Sequence, residues 1–136
     1  MLSDYEQIQQ LLARYCFAVD GETAEVIAAL FWPDATVNFD GRVNDGQAAF
    51  TRGFARWIEK MRDPVENLRH VLGLPDIDIG GELAAVQVYY DADGHARRSG
   101  RIIHLRGVYR GVLQKRAEEW RIAEWHVLIW KPLATT

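Results

Sequence analysis

The stretch Arg62-Asp63-Pro64-Val65-Glu66-Asn67-Leu68-Arg69-His70-Val71-Leu72-Gly73-Leu74 divides the chain into two parts with different hydrophobic periods. Before it, apolar residues return every three or four positions, as on helices with one buried face. After Pro64 they return every second position, as on strands, and this continues to Trp130. Helices followed by a run of long strands predict an α+β fold.

Working back toward the amino terminus, Arg62-Asp63-Pro64 closes a helix that starts at Asp45 or Gly46 and runs to Met61, with Phe50, Phe54, Trp57 and Ile58 as its buried stripe. Asp40-Gly41 is turn chemistry, and Ala35–Phe39 before it reads as a strand. A short helix is expected from Thr23 to Phe31, ended by Pro33-Asp34. The first helix has the clearest signal. Ser3 and Glu6 stand at capping-box spacing, and Ile8, Leu11, Leu12, Tyr15 and Val19 follow on one face up to Asp20-Gly21.

Working forward, strands are expected at Leu68–Leu74, Asp76–Ile79, Leu83–Tyr90, Arg101–Gln114 and Trp120–Trp130. Gly80-Gly81, Asp93-Gly94 and Ala117-Glu118-Glu119 are the expected breaks. Antiparallel strands of this length curl. Three amino-terminal helices packed in the concave face of such a sheet would leave a cone with a single enclosed pocket.

The 136 residues predict one domain across the whole chain, 1–136. Hydrophobic residues make up 49% and charged residues 26%, enough apolar material to offset the entropy of ordering. Sixteen basic against 19 acidic residues give a net charge of −3. Without a basic excess, nucleic acid is not expected as a partner. No apolar run approaches the ~20 residues of a membrane span, so no membrane partner is expected. The first residues lack the basic and apolar regions of a secretory signal, and the lone Cys16 fits a reducing compartment. The expected location is cytoplasmic. Cys16 reads as a packed thiol. His70, His95, His104 and His126 show no metal-ligand spacing, and there is no nucleotide-binding or nucleophile-elbow motif, so neither metal nor cofactor is expected.

Two blocks carry a family resemblance: Leu11-Leu12-Ala13-Arg14-Tyr15-Cys16-Phe17-Ala18-Val19-Asp20 and Ala28-Ala29-Leu30-Phe31-Trp32-Pro33-Asp34-Ala35-Thr36-Val37. Arg69-His70-Val71-Leu72-Gly73, Gly107-Val108-Tyr109 and Glu119-Trp120-Arg121-Ile122 follow in order. From about Tyr5 to Trp130 the chain resembles the SnoaL-like branch of the nuclear-transport-factor-2-like (cystatin-like α+β) superfamily. It is most similar to the scytalone dehydratase, bile-acid 7α-dehydratase and dehydrochlorinase type. The superfamily hosts many reactions, so the resemblance bears on fold more than on chemistry.

Asp20 and His70 are the candidate catalytic pair. A carboxylate that accepts from one imidazole nitrogen fixes the tautomer and leaves the other as a base. The resemblance implies the same pair, because the dehydratases carry Asp and His at the matching positions. It also implies a tyrosine at Tyr15, whose hydroxyl would stabilise a developing oxyanion. Tyr15 and Asp20 differ by about 140° around the helix, so both line one cavity only where the helix frays. The resemblance offers His104 as a second acid or orienter, although alternation places it with Arg106 and Arg110. Trp32, Phe39, Phe54 and Trp57 are the expected substrate-binding residues, suited to a small apolar cyclic molecule.

The expected function is a cofactor-independent lyase or dehydratase. A ketosteroid-isomerase-like enzyme is one alternative, but Phe39 stands where its carboxylate base would align, with Asp40 one place later on the opposite face. A polyketide-cyclase-like enzyme and a non-catalytic ligand-binding dimer are the others. Strict alternation in the last strand puts Trp120 and Trp130 on one face and Trp125 on the other. Aromatics on both faces predict a homodimer, with a trimer as the runner-up.

Overall fold

The computed structural model describes residues 1–131. Helix α1 spans Asp4–Gly21, and its capping box forms as expected: Glu6 N–H donates to Ser3 Oγ and Ser3 N–H to Glu6 Oε1, both at 3.1 Å. Its buried face carries Ile8, Leu11, Leu12, Tyr15 and Val19, joined by Cys16 and Ala18. Helix α2 is shorter than expected, Ala24–Ala28, capped by Thr23. Phe31 begins strand β1, Phe31–Phe39, instead of ending the helix. Leu30 O accepts from Ile122 N–H, and Phe31, 1% exposed, packs its ring on Phe50 and Phe54. That burial outweighs the helical period. Pro33 is accommodated because the ladder shifts register between Phe31 and Thr36, where no N–H is required.

The Asp40-Gly41 turn joins β1 to a short strand, β2, Arg42–Asp45. Helix α3, Gln47–Trp57, then continues into a five-residue π-helical turn, Ile58–Arg62. Asp63 N–H donates to Ile58 O at 2.8 Å, five residues back, which widens the last turn before Pro64.

The remaining strands are β3 (Val65–Leu72), β4 (Asp76–Gly80), β5 (Leu83–Ala96), β6 (Ile102–Arg116) and β7 (Glu119–Trp130). The order is β2-β1-β7-β6-β5-β3, and β4 pairs with the first half of β5. Among the described residues, only the β1–β7 pair is parallel. The result is the expected α+β architecture: a curved, unclosed, mostly antiparallel sheet holding the helices in its concave face. Trp125, Phe31, Phe50, Phe54, Ile8 and Leu12 are among the largest fully buried side chains. Asp4 ties α1 to the sheet, accepting from Trp120 Nε1 at 2.9 Å and Lys115 Nζ at 3.1 Å.

Two expectations about the strands are corrected. Asp93-Gly94 is not a break: β5 runs through it to Ala96, and the turn comes at Arg97–Gly100. Asn67, at φ 58°, bulges β3 between Glu66 and Arg69. The backbone of that bulge crosses Gly94 so closely that a Cβ there would strike Val65. Gly94 is therefore a close-approach glycine within a strand. In β7, the register shifts between Val112 and Leu113 of its partner, so two residues of β7, Ala123 and Glu124, span one step. The extra residue resets the alternation. Trp120 and Ile122 then share the concave face with Trp125, and only Trp130 remains outside, 46% exposed. Among the described residues, no helix is long and apolar enough to cross a membrane.

Candidate active site

Between the helices and the carboxyl half of the sheet lies an apolar cavity of about 270 Å³. Tyr15 and Val19 come from α1, Phe54 and Trp57 from α3, Phe39 from β1, and His70 from β3. Tyr90, Leu105, Tyr109 and Val127 form the sheet side, and Lys60, Met61 and Pro64 complete the rim.

The last turn of α1 crosses β3 at His70. Asp20 Oδ1 lies 2.6 Å from His70 Nδ1, and Asp20 Oδ2 accepts the His70 backbone N–H at 3.1 Å. A carboxylate can only accept, so Nδ1 is the donor, and in the neutral ring the lone pair falls to Nε2. The two side chains are 16% and 7% exposed, enough burial to strengthen the pairing. Nε2 has no hydrogen-bond partner among the described residues, and His70 lines the cavity while Asp20 stands behind it. The imidazole sits between Trp57 and Tyr90, with ring centroids 6.1 and 6.0 Å away. This arrangement can take a proton from a molecule in the cavity and stabilise the resulting imidazolium.

Tyr15, Tyr109 and Tyr90 form the polar seam of an otherwise apolar space. Tyr90 stacks on Tyr109 at 4.2 Å, and Tyr15 meets Tyr109 and Trp125 edge-on at 5.4 and 5.2 Å. Burial pushes the Tyr15 and Tyr109 hydroxyls well above the ordinary phenol range and Tyr90 up to about 12. All three are neutral donors at any physiological pH. Tyr90 donates to Leu128 O at 3.2 Å, and neither Tyr15 nor Tyr109 has a hydrogen bond of ordinary geometry among the described residues. Tyr90 and Tyr109 are not among the residues expected at the site. Period two places Tyr90 on the face of Val86 and Val88, and Tyr109 lies opposite Val88 in the next strand.

Of the expected residues, Asp20, His70, Tyr15, Phe39, Phe54 and Trp57 come together here. His104 and Trp32 do not. His104 is on the convex face, 55% exposed and paired through Nε2 with Asp91 at 2.8 Å. Strict alternation in β6 puts it opposite Leu105, which does line the cavity. Trp32 donates to Gln114 O at 2.7 Å and packs between the guanidinium groups of Arg116 and Arg121, outside the cavity. Strict alternation in β1 already sets Trp32 on the face opposite Phe31, Val37 and Phe39.

Asp40 lies at the rim, but its carboxylate is engaged by Lys131 Nζ at 2.9 Å and Ile129 N–H at 3.2 Å. Lys131 first, then the Ile129 amide, holds it below the usual carboxylate range, the wrong direction for a base. This argues against an isomerase that would use a carboxylate from the first strand. No three His, Cys, Asp or Glu side chains among the described residues cluster as metal ligands.

A family model described as a SnoaL-like domain matches residues 1–126. Among solved structures, an NTF2-like protein with a cystatin-like fold from Novosphingobium aromaticivorans is 20% identical with a TM-score of 0.81, covering 96% of this chain and 84% of its own. A protein of the same organism, provisionally assigned as a scytalone dehydratase, is 18% identical with a TM-score of 0.81, over 94% and 85%. A type 2 hexachlorocyclohexane dehydrochlorinase, LinA, is 16% identical with a TM-score of 0.76, over 97% and 90%. At these identities the likeness establishes the fold. No curated protein matches the sequence.

Proposed function

The chain belongs to the SnoaL-like domain family, and from that premise we propose that it is a cofactor-independent lyase of the dehydratase type acting on a small apolar ring compound. The observation that carries this reading is the Asp20–His70 pair, bonded at 2.6 Å behind an otherwise apolar cavity. A module that only bound apolar ligands would have no use for a half-buried carboxylate–imidazole pair at its wall.

In the proposed step, His70 Nε2 removes a proton from a ring carbon that has a carbonyl on one side and the hydroxyl-bearing carbon on the other. The electron pair becomes a C=C bond as the neighbouring C–O bond breaks, and the imidazolium returns its proton to the departing hydroxide as water. Asp20 holds the tautomer before transfer and stabilises the cation afterward. The Tyr15 hydroxyl donates to the oxygen on which charge develops. Trp57, Phe39 and Phe54 pack against the ring. Its size is bounded by a cavity of about 270 Å³, enough for one or two fused rings.

A panel of β-hydroxy ketones and hydroxylated ring compounds, screened for thermal stabilisation and then for loss of water by mass spectrometry, tests the reading. Binding with turnover that H70Q abolishes is the expected result. Undiminished turnover in folded H70Q would overturn it. The convex face, with Tyr89 and Trp130 exposed, supports a homodimer as the working assembly.

A further inference from the structure

Helix α1 has no basic residue in its last turn, although that end of a helix favours positive charge and leaves carbonyls without partners. The charge comes from another element. Arg62, the last residue of the π-helical turn, donates through Nη1 to Val19 O at 3.2 Å and to Glu22 O at 2.6 Å. These two carbonyls bracket Asp20 and Gly21. Gly21 provides no packing of its own, since a Cβ there would meet nothing within 4 Å. The segment carrying Asp20 is thus held from outside the helix by one guanidinium.

We infer that Arg62 is a positioning residue for the Asp20–His70 pair: by clamping Val19 O and Glu22 O it fixes the turn from which Asp20 reaches both Nδ1 and the backbone N–H of His70. The inference rests on the reading of that pair as the working pair. The arginine's place on the chain gives the contact a second consequence. Met61 and Lys60, one and two residues earlier in the same turn, line the cavity rim. Widening of the turn at Ile58–Asp63 is what turns Arg62 back onto α1 while Lys60 and Met61 stay at the rim. Rim and pair are therefore one mechanical unit. A lysine ammonium also has hydrogens for two carbonyls, but it is one atom shorter in reach and its donors rotate, whereas the planar guanidinium fixes the direction of both Nη1 bonds.

The test reads the geometry of the pair and not turnover, so it separates this inference from the proposed reaction. Long-range nitrogen–proton NMR of the histidine side chains is recorded for wild type, D20N, R62M and R62K. The wild-type His70 Nδ1–H signal is expected far downfield, and D20N gives its position without the carboxylate. R62M is expected to move the His70 signal most of the way toward the D20N position, and R62K only part of the way. His104 and His126, paired with Asp91 and Glu124 on the convex face, are expected not to move. A His70 signal at its wild-type position in R62M overturns the inference, as does an equal disturbance of all three histidines. If R62M does not fold, R62K decides, and wild-type His70 signals there overturn it. Activity persisting in H70Q would refute the proposed reaction and leave this result standing.

Discussion

Asp20 holds His70 at two points, accepting from the ring at Oδ1 and from the backbone N–H at Oδ2, at 2.6 and 3.1 Å. One carboxylate thus fixes both the orientation of the imidazole and the strand that carries it. An asparagine cannot do both, because its amide nitrogen only donates. D20N is therefore expected to lower turnover by about 10²–10⁴-fold, as when a base loses its tautomer-setting partner. It should also cost about 1–3 kcal/mol of stability, because the single remaining oxygen serves only one of the two part-buried His70 donors. Urea denaturation checks the second figure. Wild-type stability in D20N would mean that the second bond of the carboxylate contributes nothing.

Gly107 lies where three elements cross. A Cβ there would strike Leu128 O and approach the Tyr90 hydroxyl, so the missing side chain lets Tyr90 reach Leu128 O. G107A is expected to destabilise the fold by about 1–3 kcal/mol or more, as overpacking at backbone does. G80A is the control, since a Cβ at Gly80 meets nothing within 4 Å. Equal thermal midpoints for the two variants would refute the close approach.

The features read correctly from the sequence were those set by local chemistry. The capping box, the buried stripe of α1 and the switch of period at Pro64 need only residue type and spacing, and the contact of Asp20 with His70 follows the family resemblance. Two of the errors share another cause: each needs knowledge of a partner strand. Asp93-Gly94 has turn composition, but it is strand because the Asn67 bulge crosses it. Trp120 and Trp125 have opposite parity, yet share a face because β7 takes up one extra residue. Trp32 differs: alternation alone sets it opposite Phe31 and Phe39, so its aromatic character misleads where parity does not. Bulges have no reliable signature in a single sequence, and each one inverts the faces beyond it.

Acid should weaken the fold through its paired aspartates. The carboxyl of Asp4 is held below its ordinary value, first by Trp120 and then by Lys115; Asp34 is lowered first by Arg116 and Asp93 first by Arg69. A carboxyl whose folded pKa lies below its unfolded value contributes stability above the unfolded pKa and loses it as pH falls through the folded one. The urea midpoint is expected to be flat above about pH 5 and to fall below about pH 4, the ordinary aspartate range. D4N should flatten that fall. An acid limb unchanged in D4N would show that the Asp4 contacts do not contribute to it.

Cys16 lies within the buried stripe of α1, 5% exposed, and its thiol is pushed up to about 12, first by burial and then by the nearby Asp20. The thiolate is the reactive form, so native Cys16 should resist a disulfide reagent at pH 8. The modification rate is expected to rise steeply with urea and to follow the unfolding transition. Rapid labelling without denaturant would show that the carboxyl half of α1 opens readily, which would also loosen Asp20. The sign for stability is the reverse of the aspartates: a raised pKa favours the fold below the unfolded thiol value and loses that contribution as pH climbs above it.

With Trp120 and Trp125 turned inward, the case for a partner rests on fewer residues. Tyr89 is 64% and Trp130 46% exposed; their rings meet edge-on at 5.8 Å, and Arg106 lies 5.6 Å over the indole. Val71 and Leu74 are exposed nearby on the β3 side, at 51% and 94%. A symmetric pairing of this face would cover aromatics that otherwise meet water, and a stable interface needs about 800 Å² from each partner. Light scattering at micromolar concentration should therefore give twice the 15.6 kDa chain mass. The double variant Y89K/W130K should move the mass to the monomer while keeping the wild-type circular dichroism spectrum, because neither side chain belongs to the core. A wild-type mass of one chain would show that Arg106 and the two rings shield one another well enough without a partner.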